Sequence, residues 1–384
     1  MSDNRTRYCA IKKALESLRP TELTGNQARH LDTLAMLIAG VIGAKKCYLP
    51  DIAQKVPLQA KPTSTVRRME RFLDNDAIDT KKYYLPYVET LIANLPPGPL
   101  LLIIDGSEVG RNCVMLSINV VYKKRALPLC WVVVKGKKGH LPQETHLELL
   151  KQAASIVPPD RKVIFLGDGE FDGVELLQTL QNQGFDYVCR TAKNVVLSEA
   201  GHRFCLKDMV LNKGDQIELP EVGFTACEYG PVLVSVIWEP SWDEALVLVS
   251  NLDFLEEAYH FYRFRFHIET FFSDQKSRGF YLGHSHISDT SHLDRLLIGL
   301  CLAYLWIVCL GAWVVQTGRV SLIHRTDRCD WSLFHVGLSW IEYCLNRDLP
   351  LRTRFADRRT RFADRRTRFA RPKGARKGAA KSVG

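Results

Sequence analysis

The spacing of hydrophobic positions changes several times along the chain. Over residues 1–95 they recur at helical intervals among many polar ones, as in "YLPDIAQKV" (48–56) and "TSTVRRMERFLDN" (63–75). These stretches read as two helices joined by a short turn, with Thr63 or Ser64 capping the second. Arg67, Arg68 and Arg71 lie along that second helix. A helix-turn-helix presents such arginines to a DNA groove, and an ordinary solvated helix face carries them equally well.

At "PPGP" (96–99) the texture changes. The runs "LLLIID" (100–105), "CVMLSINVVY" (113–122) and "LPLCWVVVK" (127–135) are rich in β-branched residues and separated by short polar turns, so they predict strands. A helix is expected from Glu144 to Ile156, then the strand "KVIFLGD" (162–168). "DGVELLQTLQNQG" (172–184) predicts a helix capped by Asp172 and stopped by Gly184, and "FDYVCR" (185–190) a further strand. Three strands followed by α-β-α-β describe a mixed sheet flanked by helices. Short strands return at 193–252, including "VLVSVIW" (232–238) and "ALVLVSNL" (245–252), as an all-β insertion. The expected organisation is a helical N-terminal DNA-binding domain (1–95), an α/β core in two parts (96–192 and 253–350), the insertion between them, and a tail (351–384).

One run, "LLIGLCLAYLWIVCLGAWVV" (296–315), is uncharged and long enough to span a bilayer. It has no second of its kind, and both flanks read as soluble helix, so a buried core helix is expected. "DWSLFHVGLSWIEYCL" (330–345) reads as an amphipathic helix.

Charge alters this picture in one place. The formal net charge is +10, yet residues 351–384 alone hold ten Arg and three Lys against two Asp, which leaves the body nearly neutral. The basicity belongs to the tail and favours a polyanionic partner. "TRFADRR" stands at 353 and again at 360, and "TRFA" at 367 begins a third copy. One Phe per repeat (Phe355, Phe362, Phe369) is too sparse for a coiled-coil seam, so a disordered tail is expected. Eleven cysteines with no C-x-x-C pair, together with a polar start, point to the reducing cytoplasm rather than to zinc or disulfides.

The candidate chemistry lies in carboxylates. Asp105 and Asp168 each close an apolar strand and each precede a glycine. An acid at the carboxyl end of a buried strand faces the crevice above the sheet, and two such strands side by side bring two acids together. A divalent cation would let both stay ionised. Either Asp alone is equally well a turn residue. The stretch "YRFRFHIETFFSDQK" (262–276) adds a third acid. As one continuous helix it places Tyr262, Arg265, Glu269 and Lys276 within about a 60° sector, beside an apolar face of Phe264, Ile268, Phe271 and Phe272. A simple i, i+4 ion pair accounts for Arg265 and Glu269 but not for all four residues.

Tyr-x2-Arg-x3-Glu-x6-Lys, unbroken here as Tyr262, Arg265, Glu269 and Lys276, resembles the signature of the insertion-sequence-four family of DDE transposases. "IIDGS" and "LGDGEFDG" resemble that family's first and second acidic motifs. Members frequently carry Arg after the second Asp, where this chain has Gly169. The resemblance implies an RNase H-like core interrupted by a β-insertion, with Asp105, Asp168 and Glu269 as catalytic residues holding two Mg2+ or Mn2+ ions. It further implies phosphate contacts from Tyr262, Arg265 and Lys276, a double-stranded DNA partner at the inverted ends of the element, and a homodimer that pairs two ends. In related proteins cleavage passes through a DNA hairpin, and an aromatic residue holds a flipped base. Trp238 and Trp242 are the candidates, although a Trp in a small β-domain more often simply packs.

Other residues read more plainly. Glu108, Glu170 and Asp172 are expected as turn and cap residues. "KGKKGH" (135–140) is expected as a solvated loop, with phosphate cradling the rarer use of such a sequence. "HSH" (284–286) with His292 lacks a fourth metal ligand. The rival to a transposase is a copy without catalysis that only binds DNA.

Overall fold

The structure, a computed structural model, describes residues 2–18, 25–58, 60–139 and 141–355. Six helices open the chain: α1 (Asp3–Glu16), α2 (Gly25–Ala44), α3 (Leu49–Ala53), α4 (Pro62–Leu73), α5 (Thr80–Tyr83) and α6 (Leu85–Ala93). The core follows as β1 (Leu100–Gly110), β2 (Cys113–Tyr122), β3 (Arg125–Lys135), α7 (Gln143–Ile156), β4 (Val163–Gly167), α8 (Val174–Asn182) and β5 (Asp186–Arg190). The insertion contributes β6 (Val196–Glu199), β7 (His202–Cys205), β8 (Gln216–Phe224), β9 (Tyr229–Ile237) and β10 (Leu246–Ser250). The chain then forms α9 (Leu255–Tyr262), α10 (His267–Gln275), α11 (Thr290–Gln316) and α12 (Leu333–Leu345).

All ten strands join one sheet in the order β3-β2-β1-β4-β5-β10-β9-β8-β6-β7. The mixed sheet flanked by helices is the expected fold class, and the β-insertion extends that sheet edge to edge instead of standing apart from it. β1, β4 and β5 run parallel, with Leu100–Ile103 paired to Val163–Leu166 and Ile164–Gly167 paired to 186–189. β2 and β3 add on antiparallel, and β10 closes antiparallel onto β5 through Leu248 and Arg190.

Alternation along a strand sends neighbouring side chains to opposite faces. In β3, Cys130 meets the Leu149 carbonyl of α7, while the Trp131 indole donates to Asp294 of α11 at 2.7 Å. Helices therefore cover both faces here, which is why β2 is buried along almost its whole length. The apolar run 296–315 lies inside α11 and is enclosed by protein, as expected of a core helix. Its contact with α12 is close. A Cβ on Gly311 would stand 1.9 Å from the Leu333 carbonyl, and one on Gly337 2.1 Å from that of Ile307, so only glycine fits at either position.

Of the N-terminal helices, α2, α4 and α5 pack on α11, and the helical region shares its core. Arg295 of α11, buried, donates to the Leu73 and Ile78 carbonyls and pairs with Asp76, pinning the end of α4. Two details differ from the sequence reading. Lys61 caps α4 with Pro62 in its first turn, so neither Thr63 nor Ser64 is the cap; proline is suited there because that N–H needs no partner. The connection between α3 and α4 runs from Gln54 to Lys61, longer than the turn of about 3–4 residues in a helix-turn-helix. At the other end Leu351 and Phe355 are buried, with the Phe355 ring 5.3 Å from that of Tyr87. The first residues of the tail expected to be disordered are therefore packed against the protein. The rest of it, including Phe362 and Phe369, lies outside the described residues, as does His140.

Candidate active site

The parallel pairing of β1 and β4 ends at Ile103 and Leu166, and Asp105 and Asp168 each stand two residues further on. Both carboxylates therefore emerge together where the two strands part. β1 does not stop at Asp105 as the sequence suggested. It continues to Gly110 along β2, with Asp105 opposite Ser117, because an antiparallel neighbour still takes up its backbone groups. Asp105 is only 2% exposed.

Each aspartate has one oxygen anchored and one presented. Asp105 Oδ1 accepts the Gly106 N–H at 2.7 Å, and Asp168 Oδ1 accepts the Glu170 N–H at 3.1 Å. Their Oδ2 atoms share one partner, Nη2 of Arg265, at 3.1 and 2.6 Å. Nη1 of the same guanidinium reaches Glu269 Oε1 at 3.3 Å. Three acids drawn from β1, the β4 exit and α10 thus converge on a single arginine. Arg265 is 7% exposed, and its Nε–H, also buried, has no acceptor.

The helix predicted over 262–276 is two helices with a tight turn between them. Across this turn the N–H groups of Phe264, Arg265 and His267 bond to the carbonyls three residues back, of Phe261, Tyr262 and Phe264. This overwound step turns Arg265 inward towards the acids instead of lining it up on an exposed stripe. Tyr262 is buried in the crevice wall rather than exposed, and burial pushes its phenol up to about 12. Lys276 is half-buried at the end of α10, and desolvation lowers its ammonium while Glu108 and Asp105 oppose that shift.

Several expected DNA contacts are placed elsewhere. Arg68 is half-buried and donates to Thr33 at 3.0 Å while pairing with Asp32 at 2.9 Å, so its guanidinium is engaged within the helical region. Arg67 and Arg71 do remain exposed on α4. Trp238 donates to the Trp242 carbonyl and carries Lys193 over its ring. It is Trp242 that lines the cleft of roughly 480 Å³ beside the acids, together with Asp168, Arg190, Tyr259, Tyr262 and Phe266. Asp172 does not cap α8, whose cap is Gly173. Burial raises the Asp172 carboxyl, which the Thr191 hydroxyl partly offsets. Glu170 is held low first by His146, 3.7 Å away. His292 pairs with Asp74 at 2.8 Å.

Two residues of the site had no prominence in the sequence. Lys138, from the loop "KGKKGH", bonds Asp105 Oδ1 at 2.8 Å, so this loop is part of the crevice and not only solvated surface. Arg190 ends β5 at the cleft, and its carbonyl is the nearest atom to the open space beside Gly169. A basic loop two strands away from Asp105 is a signal that becomes visible only once the sheet order is known.

The donor set is three carboxylates with no sulfur or imidazole, the chemistry that suits Mg2+ or Mn2+. With the guanidinium wedged between them, no three His, Cys, Asp or Glu side chains among the described residues already stand as a metal-holding group.

A family model described as "Transposase DDE domain" matches residues 96–306, more than half of the chain, and the chain belongs to that family. It is a DDE transposase, of a class that generally works with divalent metals. No curated protein matches it. Among solved structures it is similar to one described as a cryo-EM structure of a piggyBac transposase synaptic complex with hairpin DNA. That likeness has 12% identity and a TM-score of 0.48, and it covers 90% of this chain and 80% of the other.

Proposed function

We propose that this protein is a cut-and-paste DNA transposase of the insertion-sequence-four kind. It binds the inverted ends of its element as a homodimer and cuts and rejoins phosphodiester bonds with Asp105, Asp168 and Glu269. The observation that carries this reading is the convergence of those three acids on one cationic group at the exit of two parallel strands. When bound, Mg2+ or Mn2+ would supply charge stabilisation to the attacking and leaving oxygens of the phosphodiester.

The chain's own residues do the rest. Asp105 and Asp168, each tethered through Oδ1 by a backbone N–H, keep Oδ2 directed to the centre, and Glu269 completes the oxygen set from α10. Arg265, Lys138 and Lys276 are the cations nearest the acids and supply donors to phosphate oxygens. Trp242, Tyr259 and Phe266 give the adjoining cleft aromatic faces for an unstacked base, so the role considered for Trp238 passes to Trp242. Arg67 and Arg71 remain phosphate contacts for flanking duplex.

The test is cleavage of a duplex carrying the element's terminal repeats. D105N, D168N and E269Q should each lower the rate by about 1,000-fold or more, as expected for loss of several kcal/mol of charge stabilisation. Gel-shift affinity for the same duplex should change little. Wild-type cleavage in any of the three would end this assignment. Wild-type protein that binds the ends without cutting in Mn2+ would establish the rival, a copy that only binds DNA.

A further inference from the structure

We infer that Arg265 is an exchangeable internal counter-ion. In the free protein it occupies the acids and holds divalent metal off; when DNA enters, a phosphate takes the guanidinium and opens the acids to the metal. This rests on the catalytic reading above and assigns a regulation to the same site.

Charge and geometry motivate it. Asp105, Asp168 and Glu269 pair directly with two cations, Arg265 and Lys138, and Arg265 is the one that touches all three, so three acids share two ion-pairing partners. A divalent ion shared by the acids needs the space between the two Oδ2 atoms, and Nη2 of Arg265 sits there within 3.1 Å of both. Guanidinium and metal are therefore competitors for the same oxygens, and both cannot be satisfied at once.

The arginine is also poised to leave. Its buried Nε–H lacks an acceptor, so the inward pose does not use its full set of donors, whereas a phosphate accepts in the bidentate manner that a guanidinium favours. The bond to Glu269 is the longest of the three, and Glu269 is itself 60% exposed in its side chain, so one side of the cage is open. Phe266 lies 5.6 Å from the guanidinium carbon, is 53% exposed, and lines the cleft beside it. Its ring offers the departing cation a face on the way to the cleft. Lys138, 45% exposed on a loop, is free to follow.

Coupling of this type is reciprocal, because duplex must raise metal affinity by the factor by which metal raises duplex affinity. Mn2+ binding to the full-length protein, read from the EPR signal of free Mn2+ with and without a duplex of unrelated sequence, measures it directly and needs no turnover. R265Q should bind Mn2+ without DNA about tenfold more tightly than wild type, within the usual range for coupled sites, and should gain little more from duplex. Wild type should gain strongly from duplex, and R265K, which keeps a cation, should stay near wild type. Folded R265Q that binds no tighter than wild type without DNA, while D105N has lost the Mn2+ binding that wild type shows with duplex, would overturn the exchange and leave the catalytic reading intact. D105N that binds Mn2+ like wild type with duplex present would remove the ion-holding role of the acids, and the exchange with it.

Discussion

Two ionic clusters in this molecule are mirror images in stoichiometry. In the helical region a single carboxylate, Asp32, gathers Tyr8, Lys12 and Arg68. In the crevice a single guanidinium, Arg265, gathers Asp105, Asp168 and Glu269. The first has more positive than negative charge, and each of its members is held by a neighbour in the bundle. The second has three acids against the two cations that pair with them directly, Arg265 and Lys138. A cluster complete in itself joins helices together, whereas one left with surplus acid is a site that awaits something from outside.

The largest expected effect separates the two arginines. R265A should lower cleavage of an end-bearing duplex by about 100-fold, the size seen when one charge-stabilising donor is lost. R68A should leave cleavage at saturating DNA unchanged. Equal losses in both variants would show that Arg68 also serves the reaction and would break the contrast.

Asp274 and Arg125 form a third, one-to-one case at 2.8 Å, buried between α10 and β3. Burial raises the Asp274 carboxyl to about 6, with Arg125 opposing. The native group keeps its proton at pH values where the unfolded chain has released it, so its contribution to stability falls as pH rises from about 4 to about 6. The full drop across that window is about 2–3 kcal/mol. D274N should flatten it in urea titrations at graded pH. A D274N profile that falls as steeply as wild type's over this range would mean that Arg125 balances burial.

Next in size, D32N should cost about 1–2 kcal/mol in urea unfolding, since its partners are only partly buried, and Mn2+ should restore none of it. The loss caused by R265Q should shrink when Mn2+ is added. Smallest of all, K138Q should slow cleavage by no more than about fivefold, in keeping with a half-exposed ion pair. A loss as large as that of R265A would move Lys138 to the centre of the site.

Most of this site could be read before the fold was known, and the exceptions have physical causes. Asp105 and Asp168 announce themselves because each ends or interrupts an apolar strand at a glycine, and parallel pairing then does the rest. The step at 263–266 gave no sign, since it contains neither Gly nor Pro and its residues suit a continuous helix. The pairing of Arg68 depends on Asp32 in α2, so nothing within α4 separates it from Arg67 and Arg71. Lys138 is 33 residues from Asp105 in the chain, and only the order β3-β2-β1 folds its loop back over the strand. Trp238 and Trp242 stand either side of a short bend after β9, and which of them faces the cleft is set by that bend.

The insertion's attachment has a mechanical side. Because β10 hydrogen-bonds directly to β5, and β5 to β4, the strand that follows the Trp242 connection and the strand that leads to Asp168 belong to one sheet. A base drawn against Trp242 would load the reacting strand through the short β9–β10 connection and two ladders. Grip on the DNA end and alignment of the scissile bond then rise and fall together, and loosening the β5–β10 seam should spoil both.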